Sequence, residues 1–421
     1  MKSPLRFLHI TTFYPPYSFG GDAIYVWRLA NALAADGHLV DVLHCADSYD
    51  LLAGSRQLPA ALPAHPNVTV YGLRNSPRSL APLAAHQLGF PLLRRAQIAN
   101  AMMGKVYDVI HYHNISMFGP GVLTLTGAGH KPIKLYTVLE YWLICANNSL
   151  WKFGRRACES EQCLQCVIRA GRPLQFWRYT GLLDRLASNV DRFLAPSQAV
   201  ARIHAERGFR PPMDCLPLFT EVPITGKLLS LPRPFERPYF LFVGRLELLK
   251  GVDFLLSAWE HVSGADLVIA GDGREGERLK RRTSGNANIN FLGHVSQSDL
   301  AALYFHSRAC IVPSLNQEPF GLTAIEAMAH QTPVVAHRTG GLSEIVDESA
   351  GGLLYENEDE LIGAVGKLLS DDSLRNSLGE RGYQACLQLW SRPAHLRRYY
   401  DLIGEIAATN RAKPRRHELA V

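Results

Sequence analysis

The stretch ACIVPSLNQEPFGLTAIEAMAHQTPVVAHRTGG, residues 309–341, decides how this chain folds. It opens on an apolar run of strand length, Ala309–Pro313. Pro319 and Gly321 then punctuate a turn. The spacing after them predicts a helix from near Gly321 or Leu322, with Leu322, Ile325 and Ala329 on its apolar face. A second apolar run, Pro333–Ala336, follows. Neither run alternates polar with apolar residues, as a half-exposed strand would. Continuous runs of this kind suit parallel strands covered by helices on both faces.

The same alternation extends in both directions. Tyr239–Val243, Asp266–Ala270, Ile289–Leu292 and Gly352–Tyr355 are further strand candidates in this half. The other half offers Leu5–Thr11, Leu39–Cys45, Val68–Leu73, Val106–His111, Ile133–Leu139 and Arg192–Ala195. Strand–helix alternation throughout predicts an α/β protein with doubly wound sheets. The pattern breaks once, over residues 221–237, where Pro223, Pro232 and Pro234 precede Pro238 and no period is visible. We read that segment as a linker between two Rossmann-like domains, residues 1–220 and 238–421. Two domains suit a chain of 421 residues. After Glu356 the pattern is helical to about Ala408. Ligands of such sheets bind at the carboxyl ends of the strands, which places the site in the cleft between the domains.

Composition narrows the function. Hydrophobic residues at 47% and charged residues at 19% support a large core rather than disorder. A net charge of +6 is too mild for a nucleic-acid binder but suits phosphate-bearing ligands. The dense basic cluster is the tail Lys413-Pro414-Arg415-Arg416, read as a solvated end. The start Met1-Lys2-Ser3-Pro4 does not look like a signal peptide, and no window is apolar enough for a membrane span. The expectation is a cytoplasmic protein, with the inner membrane face left open by the basic balance. The amphipathic stretch Leu80–Met103 could rest on a membrane, but core packing is the preferred reading.

Two glutamates carry the chemistry of the opening stretch. Glu326 stands four residues after Leu322 and shares its apolar stripe. Burying an unpaired carboxylate costs roughly several kcal/mol, so Glu326 needs donors. The vicinal hydroxyls of a ribose would supply two. Glu318 lies in the loop before the helix and can reach another part of a ligand. The N–H groups at Phe320–Thr323, aided by the helix dipole, favour a diphosphate or a sugar hydroxyl. In isolation, the pair would read as a core helix with one glutamate at its edge and one in solvent.

The context changes that reading. Two glutamates separated by seven residues, inside EPFGLTAIEAMAHQTPVVAHRTGG, resemble the signature of retaining glycosyltransferases of the GT-B fold, glycosyltransferase family 4. The resemblance covers nearly the whole chain and is most specific from Tyr239 to Glu344. It implies that Glu326 holds the donor ribose and Glu318 contacts the transferred sugar. It also implies that backbone groups of Phe320, Gly321 and Leu322 bind sugar and phosphate.

A second signal is FVGRLELLKG, residues 242–251. Arg245 and Lys250 emerge where a strand ends, beside the cleft. Two fixed cations there would stabilise a diphosphate as it departs with growing charge. Gly271-Asp272-Gly273-Arg274-Glu275-Gly276 matches the dinucleotide fingerprint by letter. The fingerprint also needs an acidic residue about twenty positions on. Gly293 and His294 stand there instead, so Gly271 and Gly273 read as a tight turn beside the donor nucleotide. A nicotinamide-dependent oxidoreductase is the competing reading. In the first half, Gly20 and Gly21 precede a helix expected over Ala23–Ala35 and let backbone approach an acceptor or a donor phosphate.

No Asp-x-Asp occurs, so a metal-bound diphosphate of that type is not suggested and no cofactor is expected for catalysis; Arg245 and Lys250 would take the metal's role. The donor would be UDP-, GDP- or ADP-linked, the acceptor a glycan, a lipid-linked carrier or a small molecule. Family members often carry a histidine in a Thr-x-His-Asp context on the acceptor side. Here Thr137-Val138-Leu139-Glu140 places Leu139 at that position, while Glu140 retains an acid. This departure keeps a non-catalytic nucleotide-sugar-binding protein among the readings. His111 and His113 end the preceding strand, and His113 is the better cleft candidate.

Four of eight cysteines fall at Cys145, Cys158, Cys163 and Cys166, inside an insertion at about 145–170. Four thiols at this spacing suit a tetrahedral structural zinc, an iron–sulfur cluster, or else a loop of reduced thiols. Cys45, Cys215, Cys310 and Cys386 are scattered and expected to be buried packing residues.

Overall fold

The computed structural model describes residues 4–53, 58, 61–75, 77 and 79–412. The basic tail at Lys413–Arg416 lies outside the described residues.

The first half contributes β1 (Arg6–Ile10), β2 (Leu39–Cys45), β3 (Val68–Leu73), β4 (Val109–Tyr112), β5 (Ile133–Thr137), β6 (Trp151–Lys152), β7 (Arg156–Ala157), β8 (Arg192–Ala195) and β9 (Met213–Cys215). The second contributes β10 (Tyr239–Val243), β11 (Asp266–Ala270), β12 (Ile289–Gly293), β13 (Cys310–Val312), β14 (Val334–His337) and β15 (Gly352–Tyr355). One parallel sheet runs β3-β2-β1-β4-β5-β8-β9, the other β12-β11-β10-β13-β14-β15. In each, the order reverses once, between β1 and β4 and between β10 and β13. These are the topological switch points of two Rossmann-like sheets.

Successive residues point to opposite faces of each strand, and in the central strands both faces are buried. Tyr239, Leu241, Val268 and Val312 join a core shared by both halves, while Phe240, Phe242, Leu267 and Ile311 pack beneath the outer helices. On the first sheet Phe7, Val40 and Val109 face the shared core; Leu8, Ile10 and Ile110 face the outer one. This double burial is the physical reason for the continuous apolar runs.

Several expectations change. The run at Val106–His111 forms a strand only from Val109 on, and Ile133–Leu139 ends at Thr137. β9 is a short, mostly exposed edge with little apolar content, which left it without a sequence signal; its Cys215 is exposed rather than buried. The segment read as a periodless linker contains one short helix, Thr225–Leu229, held by the buried Leu228 in the window between Pro223 and Pro232. The first helix starts at Gly21 rather than Ala23, because Gly20 supplies an extended cap residue. Leu80–Met103 is not one helix. Gly89, in the left-handed region at φ 80°, and Pro91 split it into Leu80–Leu88 and Arg95–Met102. Ala81, Ala85, Ile98 and Ala101 are buried there, whereas Leu80, Leu83, Leu88, Leu92 and Leu93 are exposed. Among the described residues, no helix is long and apolar enough to cross a membrane.

The final helix, Arg392–Ala412, crosses back over the first sheet. The Tyr399 hydroxyl and His111 Nδ1 lie 2.9 Å apart, and Tyr400 donates to Asp36 at 3.0 Å. Arg392 adds an ion pair with Asp36 at 3.1 Å. The C-terminal residues therefore finish the core of the N-terminal sheet.

Candidate active site

The β10/β13 switch point gathers the charged residues. β10 ends at Val243, and the following loop carries Arg245 and Lys250; β13 ends at Val312, and its loop carries Ser314 and Glu318. Lys250 Nζ forms a short ion pair with Glu318, and Ser314 donates to the same carboxylate oxygen at 2.7 Å. Burial pushes the Glu318 carboxyl up, but Lys250, Ser314 and Arg245 outweigh it and hold the group below its usual range. Glu318 is therefore a fixed anion, with one oxygen already bridging Lys250 and Ser314. Arg245 is half exposed and pairs with Glu247 at 3.2 Å, which leaves guanidinium surface toward the cleft.

The helix Leu322–Ala329 starts at the predicted place, on Gly321 at φ 132°. Its buried set is wider than the predicted stripe: Ala324, Ile325, Ala327, Met328 and Ala329 are buried, while Leu322 is partly open. Phe320 is buried, with its ring in the core near Trp390. Opposite stands the N-terminus of the helix Gly21–Ala35 from the first domain. A side-chain carbon at Gly21 would meet Leu322 Cδ1 at 2.9 Å, and one at Gly20 would lie 3.7 Å from Arg245 Nε. Two helix N-termini thus face each other beside Arg245. Initial helical N–H groups lack partners within their own helices, so this junction is suited to an anion.

Glu326 has found donors inside the protein. Arg28, on the helix Gly21–Ala35, reaches it at 2.6 Å, and the Tyr304 hydroxyl donates at 3.3 Å. The side chains are 5% and 14% exposed, so this is a nearly buried ion pair between the two domains. Sequence reasoning missed Arg28, yet the signal was present. Arg28 shares the helix face of Tyr25, Leu29 and Ala32, all buried. A cation on one apolar stripe and an anion on another, each too costly to bury alone, are natural partners. Also missed were Ser314, Ser197 and Glu344. Ser197 donates to the Pro319 carbonyl at 2.7 Å, and Glu344 accepts from the backbone N–H of Gln198 at 2.8 Å and Ala199 at 2.5 Å. The first bond ties the helix Gln198–Glu206 to the loop bearing Glu318, and the other two tie it to the helix Gly340–Ser349.

The open side of Gly271 and Gly273 is filled by protein: added side-chain carbons would meet Gly244 O at 1.8 Å and Leu246 O at 2.3 Å. The two glycines let the Arg245 loop pack closely against them.

On the acceptor side, His113 does not line an open cleft. It is 1% exposed and hydrogen-bonded with His9, Nε2 to Nδ1, at 2.9 Å. His111 lies between Tyr399 and Thr137, at 2.9 and 2.7 Å. Burial lowers His9 to about 3 and takes His111 and His113 well below the ordinary histidine value. Neutral rings suit this packing, which explains why the candidate base is sequestered. Leu139 is likewise in the core. Glu140 remains available. It accepts from Asn148 at 2.9 Å through one oxygen, while the other, buried, has no hydrogen-bond partner among the described residues. Burial, and then the charge of Asp22, raise its carboxyl to about 8. The neighbouring Tyr141 hydroxyl also lacks a partner among the described residues; burial, then Glu318 and Glu344, push it above its usual value. Glu140 and Tyr141 thus hold two buried polar atoms of the first domain that lack partners among the described residues.

Comparison with known proteins agrees with this geometry. Residues 19–219 match the family model described as Glycosyltransferase Family 4, and residues 230–385 match Glycosyl transferases group 1. An uncharacterized glycosyltransferase of Methanocaldococcus jannaschii is 28% identical over 388 residues, spanning 88% of this chain and 90% of that protein. Among solved structures, sucrose-phosphate synthase from Thermosynechococcus elongatus superposes with a TM-score of 0.73 at 23% identity, covering 96% of this chain and all of that one, 100%. Anabaena HepE, in complex with UDP-glucose, gives a TM-score of 0.61 at 16% identity, over 97% of this chain and 100% of its own. With one family model on each Rossmann-like half and the charged switch point between them, the chain belongs to the GT-B glycosyltransferases of family 4.

Proposed function

We propose that this enzyme transfers a sugar, with retention of configuration, from a UDP-, GDP- or ADP-linked donor to a hydroxyl of a glycan, lipid-linked or small-molecule acceptor. One observation carries the reading: two helix N-termini meet beside Arg245, and the ion pairs of Lys250 with Glu318 and of Arg28 with Glu326 stand on the same loops and helices. That set fits a diphosphate flanked by a sugar and a ribose. The UDP-glucose held by Anabaena HepE supports the donor class.

In this reading the diphosphate lies against Arg245, Lys250 and the backbone of Phe320–Leu322. Glu318 orients the sugar. Glu326 exchanges its bond with Arg28 for the two ribose hydroxyls. The acceptor oxygen attacks the anomeric carbon on the face the phosphate leaves; the carbon–phosphate-oxygen bond breaks, and the departing oxygen takes the acceptor proton. Arg245 and Lys250 stabilise the charge that grows on that oxygen. Glu140, protonated at neutral pH by its raised value of about 8, offers the acceptor a hydrogen-bond donor. The exposed leucines Leu80, Leu83, Leu88, Leu92 and Leu93 support a peripheral membrane contact and so a lipid-linked acceptor.

Thermal-shift measurements with uridine, guanosine and adenosine diphosphates and their sugars test the site. One donor series should raise the melting temperature. Glu326→Ala should abolish that shift while keeping a cooperative melt. An unchanged shift in the variant removes Glu326 from the donor site; binding without transfer on a donor and acceptor panel would make the protein a non-catalytic binder.

A further inference from the structure

We propose that Cys145, Cys158, Cys163 and Cys166 bind one structural zinc ion that shapes the wall of the cleft. The four side chains line one cavity of about 20 Å³, together with Trp151 and Val167. That is room for a single ion or water. All four are free thiols. Cys163 and Cys166 stand one helical turn apart on Cys163–Arg169, which turns both toward the same side. Cys145 arrives from the loop after β5, and Cys158 follows the β6–β7 hairpin.

The surroundings are those of a thiolate site. Cys166 Sγ accepts from the Phe153 backbone N–H at 3.3 Å and from Asn147 Nδ2 at 3.2 Å. Arg207 Nη1 lies 3.8 Å from Cys158 Sγ. Such N–H donors stabilise metal-bound thiolates and orient them. Four thiolates on a dication carry a net negative charge, which the nearby Arg207 and Lys152 offset.

The segment also needs a fastener. Its regular structure is two two-residue strands and one short helix. Asn148, Leu150 and Phe153 hold φ values of 69°, 50° and 54°, in the left-handed region. Conformations of this kind are strained and persist where the surroundings over-determine them. Few apolar side chains anchor the segment, chiefly Leu150, Trp151 and Val167. A zinc held by four thiolates at about 2.3 Å supplies the missing constraint.

A histidine cluster competes for the metal. His9, His111 and His113 form the group whose ligand atoms all lie within 4.8 Å of one another among the described residues; the cysteine sulfurs stand wider and would be drawn inward by the ion. The histidines are nonetheless the poorer site. Both nitrogens of His111 are engaged, and the cluster offers no anionic ligand to offset a buried dication. The cysteine site also connects to the cleft: Cys145 N–H donates to the Tyr141 carbonyl at 2.7 Å, and Asn148 donates to Glu140. Fixing the cysteine loop therefore fixes Glu140.

Elemental analysis of the purified full-length enzyme should find about one zinc per chain. Replacing zinc by cobalt should produce the thiolate-to-cobalt charge-transfer bands of a tetrahedral sulfur site. C163S/C166S should lose the metal, while a His9→Gln variant keeps it. If the double variant does not fold, mercurial titration of the wild-type chain gives the same answer, with zinc released in step with four thiols. The proposal is overturned by metal-free protein after zinc loading, by zinc retained in C163S/C166S, by an iron–sulfide chromophore, or by disulfides in freshly purified protein.

Discussion

The two sheets share a topology but fill their central regions in opposite ways. Between β10 and β13 stand fixed charges: Arg245, Lys250 and Glu318, with Glu326 on the adjacent helix. Around β1 and β4 stand neutral rings. His9 and His111 are register partners, His113 follows, and Tyr399 and His395 of the final helix cover them. One region is arranged for a charged ligand, whereas the other is sealed by the chain's own C-terminus. Strand order locates a crevice; the side chains and the covering element decide whether it stays open.

The largest effect should come from the charged crevice. Lys250→Ala removes a cation from the departing diphosphate and should lower kcat on the order of 10²–10³-fold, as loss of one preorganised donor typically does. It also frees Glu318 from its ion pair. Turnover unchanged in steady-state assays would break the contrast, because the charged crevice would then not be where catalysis happens.

The sealed region should announce itself on the acid side. Burial lowers His9 to about 3 and His395 to about 4, and takes His111 and His113 well below the ordinary value of 6.5. Below that value the unfolded chain binds protons that the folded chain refuses, so stability should fall as the pH drops below 6.5. Denaturant midpoints measured across a pH series would show this. A flat acid limb would mean that the rings are not held neutral.

A smaller effect of opposite direction should come from Glu140. Its folded value is raised to about 8, so as pH rises from the usual carboxylate range the unfolded chain gives up a proton that the folded chain keeps. Stability should therefore decline toward pH 8, by one group's contribution against those of many lowered histidines, His44, His86 and His204 included, on the acid side. Glu140→Gln should remove that alkaline decline and leave the acid limb as it is. A decline that persists in the variant would assign it elsewhere and remove Glu140 as the neutral acid of the cleft.

The residues show how much was legible. Glu318, Arg245 and Lys250 sit on loops just beyond strand ends, and strand ends are readable from local apolar runs. The start of the helix at Leu322 follows from Pro319 and Gly321. His113 was misjudged for a non-local reason: the cover that buries it, Arg392–Ala412, comes from the far end of the chain. The close packing of Gly271 and Gly273 was not legible, because the backbone they pack against, Gly244–Leu246, belongs to a different loop. Arg28 was missed because its partner lies 298 residues away.

By itself, the sequence determined the two parallel sheets, since double burial writes continuous apolar runs into the central strands, and it determined the charged loops, since turn residues mark where strands end. Only the tertiary structure decided which charges neutralise each other, which histidines are shut away and which helix covers which sheet. Those outcomes depend on contacts between residues distant in the chain, and burial, which sets the cost of a charge, exists only once those contacts have formed.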